Sequence, residues 1–198
     1  MICFKNLISE RPFLIFKEKY DEAIYNKQRN IEAMSISTYH PERKEVDARY
    51  VNLKFVEHDK FIFFTNYESP KANAFKQHHQ IAALFFWPSI NTQIRMRAFI
   101  AKTSTNYNNL YFLDRTREKN ALAISSNQSN SISSYTEVVE NYNRSLAEDD
   151  LTRCPKYWGG YAFAPYEIEF WSGNKNRLNR RSLYIKSNNC WNESILEP

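Results

Sequence analysis

Residues 155–181, PKYWGGYAFAPYEIEFWSGNKNRLNRR, decide the fold class of this chain. Two short runs in this stretch, 161–163 and 168–171, are rich in aromatic residues, which favour strands. Two more strands are expected at 183–186 and near Cys190-Trp191. The C-terminal end of the chain is therefore predicted to be a set of strands.

Strands also dominate the N-terminal half, after one helix. Apolar residues between 11 and 28 fall at helical spacing among Lys and Glu, and Pro12 suits a first helical turn, so an amphipathic helix is predicted there. A second helix is expected at 69–78, where Ser69 and Pro70 form a start signal. The polar turn at 40–44 predicts a hairpin of the first two strands. The expected strands are 33–39, 46–56, 61–65, 92–103 and the nearly continuous apolar run 81–87, which is typical of a buried strand.

The middle of the chain, 106–146, is polar and predicted to be mostly helical, interrupted by a serine-rich loop at 125–131. Strands at both ends with helices between them indicate a closed sheet of the α+β class rather than a doubly wound fold. No repeat or composition shift divides the chain, so one domain is expected. Among the strand residues, Arg95 and Arg97 are expected on an exposed face and Trp158 in the core.

Composition and charge leave several classes of partner open. The 198 residues carry a net charge of +5 and a pI near 9.0, which suits a phosphate-bearing ligand but equally a nucleic acid or a membrane surface. Only 3 glycines are present, so a bound phosphate must be held largely by side chains. No run of about 18 apolar residues and no signal peptide is visible, and a cytoplasmic protein without membrane contact is expected.

The usual catalytic and metal-binding motifs are absent. Cys3, Cys154 and Cys190 are far apart and are expected to be reduced thiols, outside any disulfide or zinc site. The histidines show no metal-ligand spacing, so no metal is expected. The motifs G-x-S-x-G, G-x-x-x-x-G-K-[ST] and G-x-G-x-x-G are also missing. What remains is a set of basic and amide side chains near predicted strand ends, which together suit a phosphate and a heteroaromatic ring.

The C-terminal stretch resembles the signature of the pyridoxamine 5'-phosphate oxidase family. The resemblance rests on KYWGGY at 156–161, IEFWSG at 168–173 and RLNRR at 177–181. Further pieces in the family's order are EAM at 32–34, RYVNLK at 49–54, FFTN at 63–66, Ser69, Lys71, FFW at 85–87, Gln93 and the pair Gln128-Ser129. The resemblance implies a mainly antiparallel α+β split β-barrel with flanking helices, forming one FMN-binding domain over 1–198. Its N-terminal helix is 11–28, and its dimerisation and active-site region is 155–198.

The resemblance further implies a homodimer that builds two FMN sites across its interface, with residues from both chains. The implied contacts to the FMN phosphate and ribityl chain are Arg49, Lys71, Gln128 and Ser129. The implied lining of the cofactor is the backbone of Tyr50, Val51, Asn52 and Leu53 together with Lys54, Phe64 and Thr65. The implied contacts to the isoalloxazine are Gln93, Trp171 and Arg181.

For the substrate, the resemblance implies a phosphorylated B6 vitamer. The expected activity is FMN-dependent oxidation of pyridoxamine or pyridoxine 5'-phosphate to pyridoxal 5'-phosphate, in which two electrons pass from substrate C4' to the flavin and then to dioxygen, giving hydrogen peroxide. The implied phosphate contacts are Lys54, Tyr111 and Arg115. Lys119 stands at the same pocket, where a long cationic side chain either adds a phosphate contact or fills the pocket. The residues expected at the reacting ring, with catalytic roles, are Arg177 and Asn179.

Four positions depart from the family pattern. Pro70 stands where a second basic residue is common, which removes one charge from the FMN phosphate clamp. On the substrate side, Lys119 replaces a small hydroxyl residue, Asn179 a histidine and Arg180 an aspartate. Two alternatives stay open: the same FMN scaffold acting on another substrate, such as a phenazine-pathway intermediate, and a non-catalytic module that binds flavin or nucleic acid.

Overall fold

Six antiparallel strands close into a barrel in the computed structural model, which describes residues 1–198. Numbered in chain order, they are β2 (Ala33–His40), β3 (Glu45–Glu57), β4 (Lys60–Asn66), β5 (Gln80–Trp87), β6 (Thr92–Lys102) and β7 (Trp158–Ser172). Around the barrel the order is β2, β3, β4, β7, β6, β5 and back to β2. The expected closed, mainly antiparallel α+β sheet is confirmed.

The remaining strands lie outside this closed circuit. β1 (Cys3–Lys5) pairs in parallel with the end of β3. β8 (Arg180–Ser187) and β9 (Cys190–Ile195) form an antiparallel extension that leaves the barrel from the end of β7. The flanking helices are α1 (Arg11–Tyr25), α2 (Pro70–Gln77), α3 (Thr105–Asp114), α4 (Arg117–Ser125) and α5 (Tyr135–Glu148). None of them has the length and hydropathy that a membrane-spanning helix requires.

β7 is one strand of 15 residues, so the prediction of two separate strands at 161–163 and 168–171 was wrong. The strand accommodates Pro165 next to a β-bulge. Ala98 of β6 pairs with Pro165 and Arg97 pairs with Glu167, which leaves Tyr166 as an extra residue. A bulge allows a strand to carry a proline while the ladder continues on both sides. β7 therefore pairs with three strands, β4 near its start, β6 along its length and β8 near its end.

The core is aromatic and is covered by α1. The ring of Phe16, fully buried in the middle of α1, packs at 5.0 Å from Phe61, 5.4 Å from Phe85 and 5.6 Å from Trp87, measured between ring centroids. Burying a ring of this size contributes about 1.5–3 kcal/mol from apolar surface alone. Phe16 thus joins the helix to both sides of the barrel through β4 and β5.

The first helix ends at Tyr25 and not at the expected residue 28. The side-chain amide of Asn26 donates to the Glu22 carbonyl at 2.8 Å, and Lys27 adopts a left-handed φ of 56°. Side-chain capping of a last-turn carbonyl and a left-handed residue are both helix-ending features. The polar residues after Tyr25 therefore turn the chain toward β2.

β5 is not buried on both faces, although its apolar sequence suggested a buried strand. Ile81, Ala83, Phe85 and Trp87 point inward, and the alternate residues point outward. Phe86 is 55% exposed and Leu84 is 37% exposed. The barrel therefore carries an apolar outer surface that the chain itself leaves uncovered.

Phe16→Ala should lower the free energy of unfolding by about 3–5 kcal/mol, because it opens a cavity at the contact between α1 and the barrel. Tyr25→Ala is the matched control, since Tyr25 lies on the same helix and is 86% exposed; it should change the stability by no more than about 0.5 kcal/mol. Urea denaturation followed by circular dichroism measures both values. Equal losses for the two variants would contradict this account of the core.

Candidate active site

A cavity of about 520 Å³ lies between β3, β4, the start of β7 and the helices α2, α3 and α4. Its lining brings together most of the predicted cofactor and substrate residues, although they are spread from residue 49 to residue 129 of the sequence. The lining consists of Arg49, Tyr50, Val51, Asn52, Lys54, Phe64, Thr65, Lys71, Tyr111, Arg115, Lys119, Gln128, Ser129 and Trp158. The predicted phosphate-binding residues of FMN and of the substrate therefore share one cavity.

All charged residues in this lining are positive. It contains the cations Arg49, Lys54, Lys71, Arg115 and Lys119 and no carboxylate. Burial lowers the pKa of Lys54, and the nearby Lys119 and Arg115 charges lower it further. The carboxylate of Glu32, which lies outside the lining, raises this pKa and so opposes the shift. Positive charges that repel one another in a concave site are stabilised when an anion enters. The cavity is therefore built to receive negative charge.

Lys71 is the most buried of these cations. Burial and the neighbouring Arg49 charge lower the pKa of Lys71 to about 8. Its ammonium donates to Ser69 Oγ at 3.2 Å and to Gln128 Oε1 at 3.1 Å. Because position 70 is proline, Lys71 is the one cation that α2 contributes to the lining.

The serine-rich loop is fixed to the barrel by Gln128. Besides the bond from Lys71, its Oε1 accepts hydrogen bonds from Thr65 Oγ1 at 2.9 Å and from the Asn66 N–H at 3.4 Å. The next residue, Ser129, has a left-handed φ of 72°. This segment is therefore a docked wall of the cavity and not a free connection.

Arg115 supplies a buried guanidinium with spare hydrogen-bonding capacity. It lies 4.3 Å from the ring centroid of Trp158, and its Nη2 donates to the Lys119 carbonyl at 2.9 Å. Its Nη1 is buried and has no partner in the protein, and burial lowers the pKa of the group. An unsatisfied buried donor costs about 1–3 kcal/mol, which an anionic ligand would offset.

Three nearly parallel aromatic rings form the apolar part of the wall. Phe64 lies 3.8 Å from Tyr111 and 5.3 Å from Trp158 between ring centroids. α3 holds Tyr111 there because Asn108 Oδ1 accepts the Gly160 N–H at 2.8 Å, which docks the helix onto β7. The prediction that Trp158 is buried is confirmed, since it is 7% exposed, and it also lines the cavity, which the sequence did not indicate.

A bulge in β3 directs Lys54 into the cavity. Leu53 pairs with Phe63 and Phe55 pairs with Ile62, so Lys54 is an extra residue between two pairs. Bulges of this kind redirect a side chain. Leu53 itself gives no side chain to the cavity, because it is fully buried in the core, and its N–H donates to the Glu32 carbonyl at 2.8 Å.

The second group of predicted site residues lies elsewhere. Gln93, Trp171 and Arg181 are direct partners across β6, β7 and β8, and none of the three lines the cavity. They occupy the outer face of the barrel together with the exposed Phe86, which pairs with Gln93. A single chain therefore does not bring the two groups of predicted residues to one place.

The loop between β7 and β8 carries the remaining predicted residues. Asn176 and Arg177 adopt left-handed φ values of 57° and 60°. Asn179 Oδ1 accepts the Asn174 N–H at 3.1 Å, which bridges the two ends of this loop. The amide oxygen of Asn179 is thus engaged in holding the loop that presents Arg177. Neither Arg177 nor Asn179 lines the cavity of its own chain.

Arg95 and Arg97 were expected on an exposed strand face, and this is confirmed, since their side chains are 46% and 58% exposed. Each also makes an ion pair. Arg95 pairs with Glu169, and Arg97 pairs with Glu167 at 3.4 Å. Glu169 also accepts a bond from Arg181. Sequence reasoning missed Glu169 because its two partners are 74 and 12 residues away, and a single glutamate in a strand carries no local signal.

Comparisons with known proteins place the chain in a family. Residues 158–198 match the family model of the pyridoxine 5'-phosphate oxidase C-terminal dimerisation region. A pyridoxine/pyridoxamine 5'-phosphate oxidase of Aliarcobacter butzleri (strain RM4018) is 35% identical over 96% of this chain and 91% of its own length. One of Legionella pneumophila (strain Paris) is 35% identical over 94% of this chain and 87% of its own length.

Solved structures share the fold. PhzG from Burkholderia lata 383, determined in complex with tetrahydrophenazine-1-carboxylic acid, has a TM-score of 0.90 at 22% identity and covers 96% of this chain and 94% of its own. A pyridoxamine 5'-phosphate oxidase-related, FMN binding protein from Nostoc punctiforme PCC 73102 has a TM-score of 0.80 at 13% identity, covering 96% of this chain and 100% of its own. The split-barrel fold and the similarity to curated relatives over nearly the whole chain agree, and the chain belongs to the pyridoxine/pyridoxamine 5'-phosphate oxidase family.

Proposed function

We propose that the chain is an FMN-dependent oxidase that converts pyridoxamine 5'-phosphate and pyridoxine 5'-phosphate to pyridoxal 5'-phosphate. Dioxygen takes up the two electrons and becomes hydrogen peroxide, and the amine substrate additionally consumes water and releases ammonia. The single observation that carries the proposal is the cavity lined by five cations, no carboxylate and an aromatic wall. It suits two phosphate groups and planar rings.

FMN fits the end of the cavity formed by β3, α2 and the serine-rich loop. Arg49, Lys71, Gln128 and Ser129 would hold its phosphate and ribityl chain, since a buried ammonium and a partly buried guanidinium meet there. Arg49 is oriented by a bond from its Nη1 to Thr38 Oγ1 at 2.8 Å and by an ion pair with Asp47. When bound, FMN supplies the two-electron chemistry and the reaction with dioxygen.

The substrate phosphate fits the other end, at Lys54, Tyr111, Arg115 and Lys119. The free Nη1 of Arg115 and the redirected Lys54 offer donors there. Compared with the family pattern, the cofactor end has lost one cation at Pro70 and the substrate end has gained one at Lys119. The additional positive charge of Lys119 favours the binding of a doubly charged phosphate ester over that of an uncharged alcohol.

A second copy of the chain would complete each site. Gln93, Trp171, Arg181 and the loop bearing Arg177 and Asn179 would contact the flavin and the substrate ring of the partner. The matched C-terminal dimerisation region supports a homodimer. So does the apolar outer surface of the barrel at Leu84, Phe86, Phe99 and Ile185.

A second candidate function uses the same FMN scaffold on another planar anionic substrate. Asn179 favours it, because an amide cannot carry the proton that the family's histidine can, and its oxygen is already bonded within the loop. The earlier alternative of a nucleic-acid-binding module has less support, since the cations converge in a cavity and not along an exposed strip.

Purified protein should be yellow and release FMN on denaturation. Supplied aerobically with pyridoxine 5'-phosphate, it should form pyridoxal 5'-phosphate and hydrogen peroxide in equal amounts, monitored by absorbance and a peroxidase-coupled assay. An FMN-loaded protein that turns over neither vitamer phosphate would favour the second candidate. A chain that cannot take up FMN would exclude both flavin functions.

Lys71→Met and Arg177→Ala should separate cofactor binding from catalysis. Lys71→Met removes a buried charged donor worth about 3 kcal/mol and should weaken FMN binding about 100-fold. Arg177→Ala should keep FMN and lose turnover, because Arg177 is assigned to the substrate ring. Quenching of flavin fluorescence measures the first effect and steady-state kinetics the second. Equal loss of FMN in both variants would show that these roles are wrongly assigned.

Lys119→Ser should raise the KM for pyridoxine 5'-phosphate about fivefold with little change in kcat, because the contact of one exposed lysine with a phosphate is worth about 1 kcal/mol. Arg117→Ser is the control, since Arg117 is on the same helix but does not line the cavity. A KM that falls in Lys119→Ser would mean that the lysine obstructs the pocket and does not bind phosphate.

A further inference from the structure

Glu169 is a buried carboxylate on the outer face of the barrel, held between two arginines. Its side chain is 3% exposed. Arg181 Nε donates to Glu169 Oε1 at 2.8 Å, and Arg95 Nη2 donates to Glu169 Oε2. Both carboxylate oxygens are therefore occupied by charged donors from the strands on either side.

The strand register explains how these groups meet. Arg95 on β6 is the direct cross-strand partner of Glu169, whose partner on the other side is Leu183. Arg181 lies two residues before Leu183 on β8 and reaches Glu169 along the diagonal. Trp171 lies two residues after Glu169 on β7, so both point to the same face.

These contacts fix the plane of the Arg181 guanidinium. Besides the bond from Nε to Glu169, its Nη1 donates to the Glu197 carbonyl at 2.9 Å. A planar group held at two of its three nitrogens cannot rotate. Its Nη2 makes no bond within the chain, and the side chain remains 26% exposed. One edge of the guanidinium is thus presented outward in a set direction, beside Trp171.

We infer that Glu169 is a positioning residue: it orients Arg181 so that the free edge of the guanidinium faces the flavin ring bound in the cavity of the partner subunit. This inference rests on the proposed function, in which Trp171 and Arg181 contact that ring. The buried carboxylate also offsets part of the Arg181 charge, and a cation near a flavin changes both its affinity and its absorption spectrum. Glu169 acts through Arg181 and does not touch the cofactor.

Glu169→Gln tests this assignment on the purified holoprotein. An amide offers one oxygen and one NH₂ group, so it can satisfy only one of the two arginines. FMN binding should weaken about tenfold. The flavin absorption maximum should shift in the same direction as in the variant Arg181→Met, which is measured alongside. In the Arg181→Met background, Glu169→Gln should produce no further change in either quantity, because interacting residues give non-additive effects.

Glu167→Gln is the matched control. It lies two residues away on the same face, and its side chain, 15% exposed, pairs with the exposed Arg97 at 3.4 Å. FMN affinity and the flavin spectrum should be unchanged. Thermal denaturation of the apoproteins measures any loss of stability. A purely structural effect lowers the melting temperature of the apoprotein and leaves the flavin spectrum of the holoprotein unchanged.

A Glu169→Gln effect on FMN affinity that persists undiminished in the Arg181→Met background would overturn the inference, since Glu169 would then act independently of Arg181. So would an unchanged flavin spectrum in folded, FMN-loaded Glu169→Gln. If that variant does not fold, Glu169→Asp replaces it, since aspartate keeps the charge but withdraws the carboxylate by about 1.5 Å. Glu169→Asp is then compared alone and in the Arg181→Met background in the same way. A wild-type chain that takes up no FMN would overturn the proposed function itself.

Discussion

The pairing of β7 with three other strands is the constraint on which both groups of site residues depend. Its start pairs with β4, closes the barrel and places Trp158 in the cavity wall. Its end pairs with β8 and carries Glu169 and Trp171 on the outer face. At about 3.3 Å per residue, Trp158 and Trp171 are roughly 40 Å apart along the strand. The proposed contacts of one flavin with both groups therefore call for two copies of the chain.

The charge of the cavity is as important as its shape. Folding gathers cations that repel one another, keeps Lys71 at a lowered pKa and leaves a donor of Arg115 unsatisfied. These are costs to the empty protein, and they orient the donors before any ligand arrives. Relative to the family pattern, Pro70 removes one positive charge at the proposed cofactor end of the cavity and Lys119 adds one at the proposed substrate end, so the total is unchanged.

Much of the fold and part of the site were predictable from sequence. The strands and helices follow from periodicity and start signals, and the family motifs predicted the residues that meet in the cavity. The continuity of β7 was not predictable, because the bulge that absorbs Pro165 depends on its pairing with β6. The outward face of β5 was missed because Leu84 and Phe86 are as apolar as the inward residues. Glu169 was missed because strand pairing, and not sequence proximity, creates its contacts.

The separation of the two groups on opposite ends of β7 has a consequence for mixed assemblies. Take the proposed dimer with one copy damaged in the cavity and the other damaged at Arg181 or Trp171. Both lesions would then fall in the same one of the two composite sites. The other site is then built entirely from intact elements. In the proposed homodimer, two inactive variants of this kind would therefore complement each other when expressed together and restore one of the two sites in each hybrid dimer, whereas two lesions in the same group would restore none.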